Sequence, residues 1–172
     1  TDSALLLHNR SMEISRELSD TVGIANAANA IALIHKDRGN TASAIEMFEL
    51  SLRLMNASGK RGGAAYTMNN LANVLSKIGR HDAAIELTNK AYKILEALDD
   101  KRGMASTLQG MATAHAQLGR KDSAKAYYIR AARLFDAIGD RLAAGILLNN
   151  MVRMENDPAH FQEVRDILMR NL

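Results

Sequence analysis

Residues 61–100 read RGGAAYTMNNLANVLSKIGRHDAAIELTNKAYKILEALDD, and the next forty, 101–140, read KRGMASTLQGMATAHAQLGRKDSAKAYYIRAARLFDAIGD. Laid under one another without a gap, and under residues 21–60, they agree at six columns in all three copies. These are Gly23/Gly63/Gly103, Ala25/Ala65/Ala105, Ala32/Ala72/Ala112, Gly39/Gly79/Gly119, Ala44/Ala84/Ala124 and Ala57/Ala97/Ala137. Only Gly and Ala are invariant, which implies close approach of helices at those points or a turn of the backbone. Within 61–100 the apolar residues Ala65, Met68, Leu71, Ala72 and Leu75 fall on one helical face until Gly79 breaks the pattern. Asp82 then stands where an N-cap is expected, and Ala84, Leu87, Ala91, Ile94, Leu95 and Leu98 form a second stripe. The spacing predicts a helix A of roughly fourteen residues, a short Gly turn and a helix B of roughly seventeen. One such hairpin cannot bury its own stripe, so neighbours must stack.

Working outward, the same register makes residues 4–20 a half repeat, a helix B with Leu7, Ser11, Ile14 and Leu18 as its stripe. Full repeats follow at 21–60, 61–100 and 101–140, and 141–172 is a degenerate repeat. In this last segment Leu142 to Glu155 is a fourth helix A, Asn156-Asp157-Pro158 replaces the turn glycine, and a ninth helix is expected over about Ala159 to Arg170. Neither end carries the polar cap that stacked repeats need. The sequence is therefore expected to be one module, 1–172, cut from a longer protein.

Composition supports a helical reading. The 172 residues include 28 alanines and 21 leucines but only three Phe, four Tyr, no Trp, no Cys and one Pro. Strands favour the aromatic and β-branched residues that are scarce here. The lack of cysteine excludes disulfides, a cysteine nucleophile and a thiolate metal site. A net charge of +3 does not call for nucleic acid or an anionic membrane, and the apolar runs are far below the roughly 20 residues that span a bilayer.

The column spacing resembles the tetratricopeptide repeat. That family places a small residue in helix A, a larger one three later, a turn glycine, then small, aromatic and small residues along helix B. The three copies read Ala32, His35, Gly39, Ala44, Phe48, Ser51; then Ala72, Leu75, Gly79, Ala84, Thr88, Ala91; then Ala112, His115, Gly119, Ala124, Tyr128, Ala131. The period is forty rather than thirty-four, and the proline that often ends helix B is absent. In this it is similar to the long-repeat type of kinesin light chain, the Pins/LGN adaptors and bacterial signalling regulators. HEAT and armadillo arrays have comparable periods, but their hallmark prolines are missing. The resemblance implies an all-α, right-handed α-solenoid of antiparallel helix hairpins whose A helices line a concave groove.

On the face of helix A opposite the core stand Asn26, Asn29, Asn69, Asn70, Asn73, Gln109, Asn149, Asn150 and Arg153. They recur at i, i+3, i+4 and i+7. A primary amide both donates and accepts, so such a ladder can pair with the backbone of an extended peptide, as the resemblance implies. The competing reading is that these amides bridge neighbouring repeats or are solvated. Arg153 is available for a carboxylate.

Other candidates favour plain structural roles. His35 and His115 share a core column two repeats apart, and no second ligand stands at helical spacing from His8, His81 or His160. No nucleophile elbow, zinc-protease or phosphate-loop motif occurs, so no enzyme, metal or cofactor is expected. Arg10/Lys90/Arg130 and Arg53/Lys93/Arg133 form basic columns on the outer helices, with Arg80, Arg120 and Lys121 in the turns. They lack the interleaved aromatics of a nucleic-acid surface, and Glu86 can pair with Lys90. Met68, Met111 and Met151 fall in core columns.

These readings converge on a non-catalytic, cytoplasmic scaffold module that binds a protein or extended peptide in an Asn-rich concave groove, with no nucleic-acid or membrane partner. The alternative is a regulatory sensor segment of a bacterial transcription regulator, kinase or cyclase, binding a small effector or its own output domain. Self-association through the uncapped ends is a third expectation.

Overall fold

The computed structural model describes residues 2–155, without the side chains of Val152, Met154 and Glu155. It contains eight helices: α1 (Asp2–Glu17), α2 (Thr21–Asp37), α3 (Thr41–Ala57), α4 (Arg61–Lys77), α5 (His81–Ala97), α6 (Lys101–Gln117), α7 (Lys121–Ala137) and α8 (Arg141–Glu155). There is no strand among the described residues. The all-α class holds. The expected ninth helix and its Asn156-Asp157-Pro158 start lie outside the described residues.

The A helices α2, α4 and α6 are 17 residues long, as long as their B helices and longer than the spacing predicted. Asp82 lies inside the first turn of α5 rather than capping it. The sequence repeats every forty residues, but the backbone repeats every twenty. At positions 19, 39, 59, 79, 99, 119 and 139 the chain turns left-handed, with φ between 51° and 80°. At each turn the left-handed residue's N–H reaches back three residues and the following N–H reaches back five. In the first hairpin these bonds are Gly39 N–H to Lys36 C=O at 3.2 Å and Asn40 N–H to His35 C=O at 2.9 Å. This double bond closes a helix end by satisfying its orphan carbonyls. Gly39, Gly79 and Gly119 were legible as turn residues, and Gly59 and Gly139 do the same work between repeats.

The chain divides into two compact units, Thr1–Ile94 and Leu95–Leu172. In the first, α1 packs on α2, α2 on α3, and α3 on α4, with α2 also touching α4. One core cluster joins Ala32 of α2, Ala44 and Phe48 of α3, Leu71, Ala72, Val74 and Leu75 of α4, and Ala84 of α5. Phe48, the aromatic of the B-helix column, is fully buried, as is Tyr128 in the second unit to 6% exposure. Thr88 occupies that column in α5 and remains buried because its Oγ1 donates to the Ala84 and Ile85 carbonyls, both at 3.0 Å. A buried hydroxyl without such a partner would cost about 1–3 kcal/mol. In the second unit α7 packs on both α6 and α8. Its buried residues include Leu95, Leu108, Met111, Phe135, Leu147, Leu148 and Met151.

Three of the small-residue columns of the A and B helices are buried, namely Ala25/Ala65/Ala105, Ala32/Ala72/Ala112 and Ala44/Ala84/Ala124. The glycines at 63 and 103 sit where the preceding B helix leans on the first turn of the next A helix. A Cβ on Gly63 would meet Met55 Sδ at 2.8 Å, and one on Gly103 would meet Leu95 Cδ2 at 2.8 Å. Ala57, Ala97 and Ala137 correct the expectation of close contact. They end their helices and are exposed, and burial gives no account of their invariance.

The half repeat also departs from expectation. On α1 it is Met12 and Ser15 that are buried, against α2. Leu7, Ser11, Ile14 and Leu18 face away, with Leu18 73% exposed. The physical reason is that a B helix packs on two sides, and no described helix covers that side of α1. In α3 the equivalent Ser51 is fully buried. Leu98, the last residue of the α5 stripe, is likewise exposed because it stands beyond the helix end.

Candidate functional site

The amides gather on one side of the A helices, which on α2 and α4 carries no charge between Val22 and Ile34 or between Gly62 and Ser76. In the first unit Asn26 and Asn29 lie on α2, and Asn69, Asn70 and Asn73 on α4. Asn26 and Asn73 are exposed; Asn29, Asn69 and Asn70 are half-buried. On their inner sides α2 buries Ala25, Ala28, Ile31 and Ala32, and α4 buries Ala65, Met68, Leu71, Ala72 and Leu75. The two helices touch, and Asn70 Nδ2 donates to Asn29 Oδ1 at 3.2 Å. Asn29 and Asn70 bridge neighbouring repeats, while Asn26 and Asn73 present their amides to solvent.

In the second unit Gln109 on α6 is half-buried, and its backbone carbonyl accepts from Thr113 Oγ1 at 3.1 Å. Thr113 also meets Tyr128 Oη at 3.3 Å. On α8 Asn149 and Arg153 are exposed and Asn150 is half-buried. The nine predicted residues thus divide into five in the first unit and four in the second; Asn26, Asn73, Asn149 and Arg153 are exposed and the other five are half-buried.

Two residues of this side were missed. Tyr66 and Ile146 stand forty and 120 residues after Asn26, in its column, and are 43% and 50% exposed. The forty-residue register places them there, but neither is an amide. The same register shows that Asn29, Asn69, Gln109 and Asn149 form one column of primary amides.

The histidines diverge. His35 Nδ1 lies 3.5 Å from Asn40 Nδ2. His115 stacks on Tyr127 with ring centroids 5.2 Å apart, and Arg130 lies over the Tyr127 ring at 5.9 Å. Its Nδ1 is buried without a hydrogen-bond partner among the described residues. Burial first, and the nearby Arg120 guanidinium second, hold its imidazole below the ordinary value of 6.5. In the same column α4 has Leu75, so this is a core position that a neutral imidazole fills. No group of three or more His, Asp or Glu among the described residues could hold a metal ion, and none of their helices is long and apolar enough to cross a membrane.

The basic columns are exposed throughout: Arg10, Arg53, Lys90, Lys93, Arg130 and Arg133. Lys90 pairs with Glu86 at 2.6 Å and Arg10 with Glu13 at 3.0 Å. Exposed pairs of this kind are screened by water and make a solvated surface.

The family can now be stated. A model of the tetratricopeptide repeat matches residues 23–97 and, one repeat on, 63–137. The chain belongs to the tetratricopeptide repeat family, whose members are in general non-catalytic protein-interaction scaffolds. No curated protein matches it by sequence. Among solved structures it is similar to BtubC (BKLC) from P. vanneervenii, at 19% identity and a TM-score of 0.80, over 99% of this chain and 74% of that one. It is also similar to a kinesin light chain protein of Podosopora anserina with nearly identical TPR-like repeats. There the identity is 14% and the TM-score 0.75, over 99% of this chain and 85% of that one. At these identities the likeness is one of fold.

Proposed function

We propose that this chain is a non-catalytic module that captures an extended segment of a partner protein on the amide face of its A helices. The observation that carries the reading is the division of labour among the amides of α2 and α4. The Asn29–Asn70 hydrogen bond ties one repeat to the next, and Asn26 and Asn73 stand exposed on either side of it. An extended peptide brings an N–H and a C=O at every residue, and primary amides can answer both. Asn has no advantage in the middle of a helix, so its concentration here answers to binding rather than to helix formation. Gln109, Asn149, Asn150 and Arg153 offer the same chemistry in the second unit, with a guanidinium for a carboxylate.

The test replaces Asn69, Asn73 and Asn149 together with alanine and compares partner capture from the native host with that of the unaltered chain. Capture is expected to be lost while the circular dichroism of the helices is unchanged. Equal capture by both proteins overturns the proposal.

A second mode of association is favoured by the exposed Leu7 and Ile14 on α1 and Leu18 just beyond its end. An apolar helix face of this kind associates with a second copy, and light scattering across a concentration series checks it. A mass that stays monomeric throughout removes this second reading.

A further inference from the structure

The chain is 24% charged, yet Val22 to Ile34 of α2 and Gly62 to Ser76 of α4 contain no Asp, Glu, Lys or Arg. Burial explains the inner columns but not the solvent-facing ones, where a charged side chain would cost nothing and would aid solubility. A surface kept neutral while exposed avoids the expense of burying an ion when something covers it. In the middle of that neutral face stands Tyr66, 43% exposed, one turn before the Asn69 and Asn70 amides and in the column of Asn26. Helical side chains lean toward the N-terminus over the residue four earlier, and here that residue is Gly62. A glycine there adds no side chain to that turn. A phenol ring offers a large rigid contact area at a small cost in side-chain freedom.

Resting on the peptide-capture reading above, we infer that Tyr66 determines the specificity of this face. Its partner is a neutral extended segment that lays a ring-bearing side chain, proline or aromatic, on Tyr66 while its backbone pairs with the flanking amides. Binding of this kind carries no ion pair, so salt hardly weakens it.

The experiment selects peptides from a random displayed library on the full chain, and in parallel on Tyr66→Phe and Tyr66→Ala. The unaltered chain is expected to enrich uncharged peptides with proline or an aromatic residue at one fixed position. Their affinities should change less than about threefold between low and high salt, since exposed charge–charge attraction is what salt screens. Tyr66→Phe should keep the preference. Tyr66→Ala should bind the selected peptides about tenfold more weakly, the worth of a good ring–ring contact. Because Tyr66 is exposed, the alanine variant should retain its helicity. An enriched peptide set that is charged, or that Tyr66→Ala binds equally well, overturns the inference and leaves peptide capture standing. If the unaltered chain enriches no peptide, capture itself falls and the inference with it.

Discussion

The turn that leads into α4 and the turn that leads into α6 share one pattern of backbone hydrogen bonds and are built in opposite ways. Before α4 the left-handed position is Gly59, at φ 64°, where no Cβ is strained. The next residue is Lys60, whose side chain makes no cap bond. Before α6 the left-handed position is Asp99, at φ 51°, which carries the steric cost of a Cβ. It is followed by Asp100, whose Oδ1 accepts from Gly103 N–H at 2.8 Å. One turn relaxes the backbone and leaves the helix uncapped; the other strains the backbone and caps the helix. The turn into α8 has both advantages, with Gly139 at φ 78° and Asp140 accepting from Ala143 N–H at 3.1 Å. The comparison teaches that backbone relaxation and helix capping are separate contributions, which this molecule combines differently from repeat to repeat.

The largest effect should come from the glycines that follow these turns. Gly103→Ala places a Cβ 2.8 Å from Leu95 Cδ2 and 2.9 Å from the capping Asp100 Oδ2. Leu95 is fully buried and has nowhere to go. A net loss of about 2 kcal/mol in chemical denaturation is expected, as for other overpacked sites. Gly63→Ala meets Met55, closest at Sδ, 2.8 Å away; Met55 is buried as well, but its unbranched thioether adapts more readily than a branched leucine. The loss there should be smaller, about half, and equal losses at the two sites would break the distinction. Ala143 already stands in this column beside a working Asp140 cap, so capping by itself tolerates the methyl.

Next in size are the caps. Asp100→Ala should cost about 1 kcal/mol, and Lys60→Asp should gain about half of that by supplying a missing acceptor and an anion at the start of α4. Amide hydrogen exchange in the first turns of α4 and α6 reads both changes locally. A Lys60→Asp variant with unchanged exchange would show that the α4 turn cannot accept a cap.

Smaller still is the exchange of the left-handed residues. Asp99→Gly should stabilise by less than about 1 kcal/mol, because the released strain is partly offset by the greater freedom of an unfolded glycine. Gly59→Asp should lose a similar amount. Thermal unfolding of the two single variants tests whether the changes are of opposite sign, as the comparison requires.

Acid should single out the turn into α8. The Ala143 N–H, followed by the hydrogen bond from Arg102 at 2.7 Å, holds the Asp140 carboxyl below its ordinary value of 3.8. A carboxylate depressed in the folded state stabilises above its unfolded value and loses that contribution as pH falls through the folded one. Asp140→Asn should therefore flatten the acid limb of the unfolding curve below about pH 4. His115 acts earlier in the same direction. Its folded value lies under 6.5, so the unfolded chain takes a proton first and stability falls as pH drops below that point. His115→Leu, which copies Leu75, should remove that first step. A profile unchanged in both variants would remove titration from the account of these turns.

Much of this architecture could be read from the chain before any coordinates. The forty-residue register separated the helix hairpins, because glycine recurs where the backbone turns left-handed and alanine recurs in three columns where helices pack. Gly39, Gly79 and Gly119 turned out left-handed for the reason the sequence suggested. Phe48 and Tyr128 plug the core from the column where the family puts an aromatic. Ser19 and Asp99 were not legible as turns, since a left-handed serine or aspartate is uncommon and carries no signature.

The amide face was legible as a pattern and no further. Periodicity put Asn29 and Asn70 on one side of their helices, but it could not say that these two bond to each other while Asn73 stays exposed. That depends on how closely α2 approaches α4. The same holds for Leu7 and Leu18, apolar in pattern and exposed in fact. A sequence determines which side of a helix is apolar and where the backbone can bend, because those are properties of single residues and their spacing. Which side a neighbour covers, and which polar group meets which, is decided only by packing, because it belongs to pairs of helices brought within a few ångströms.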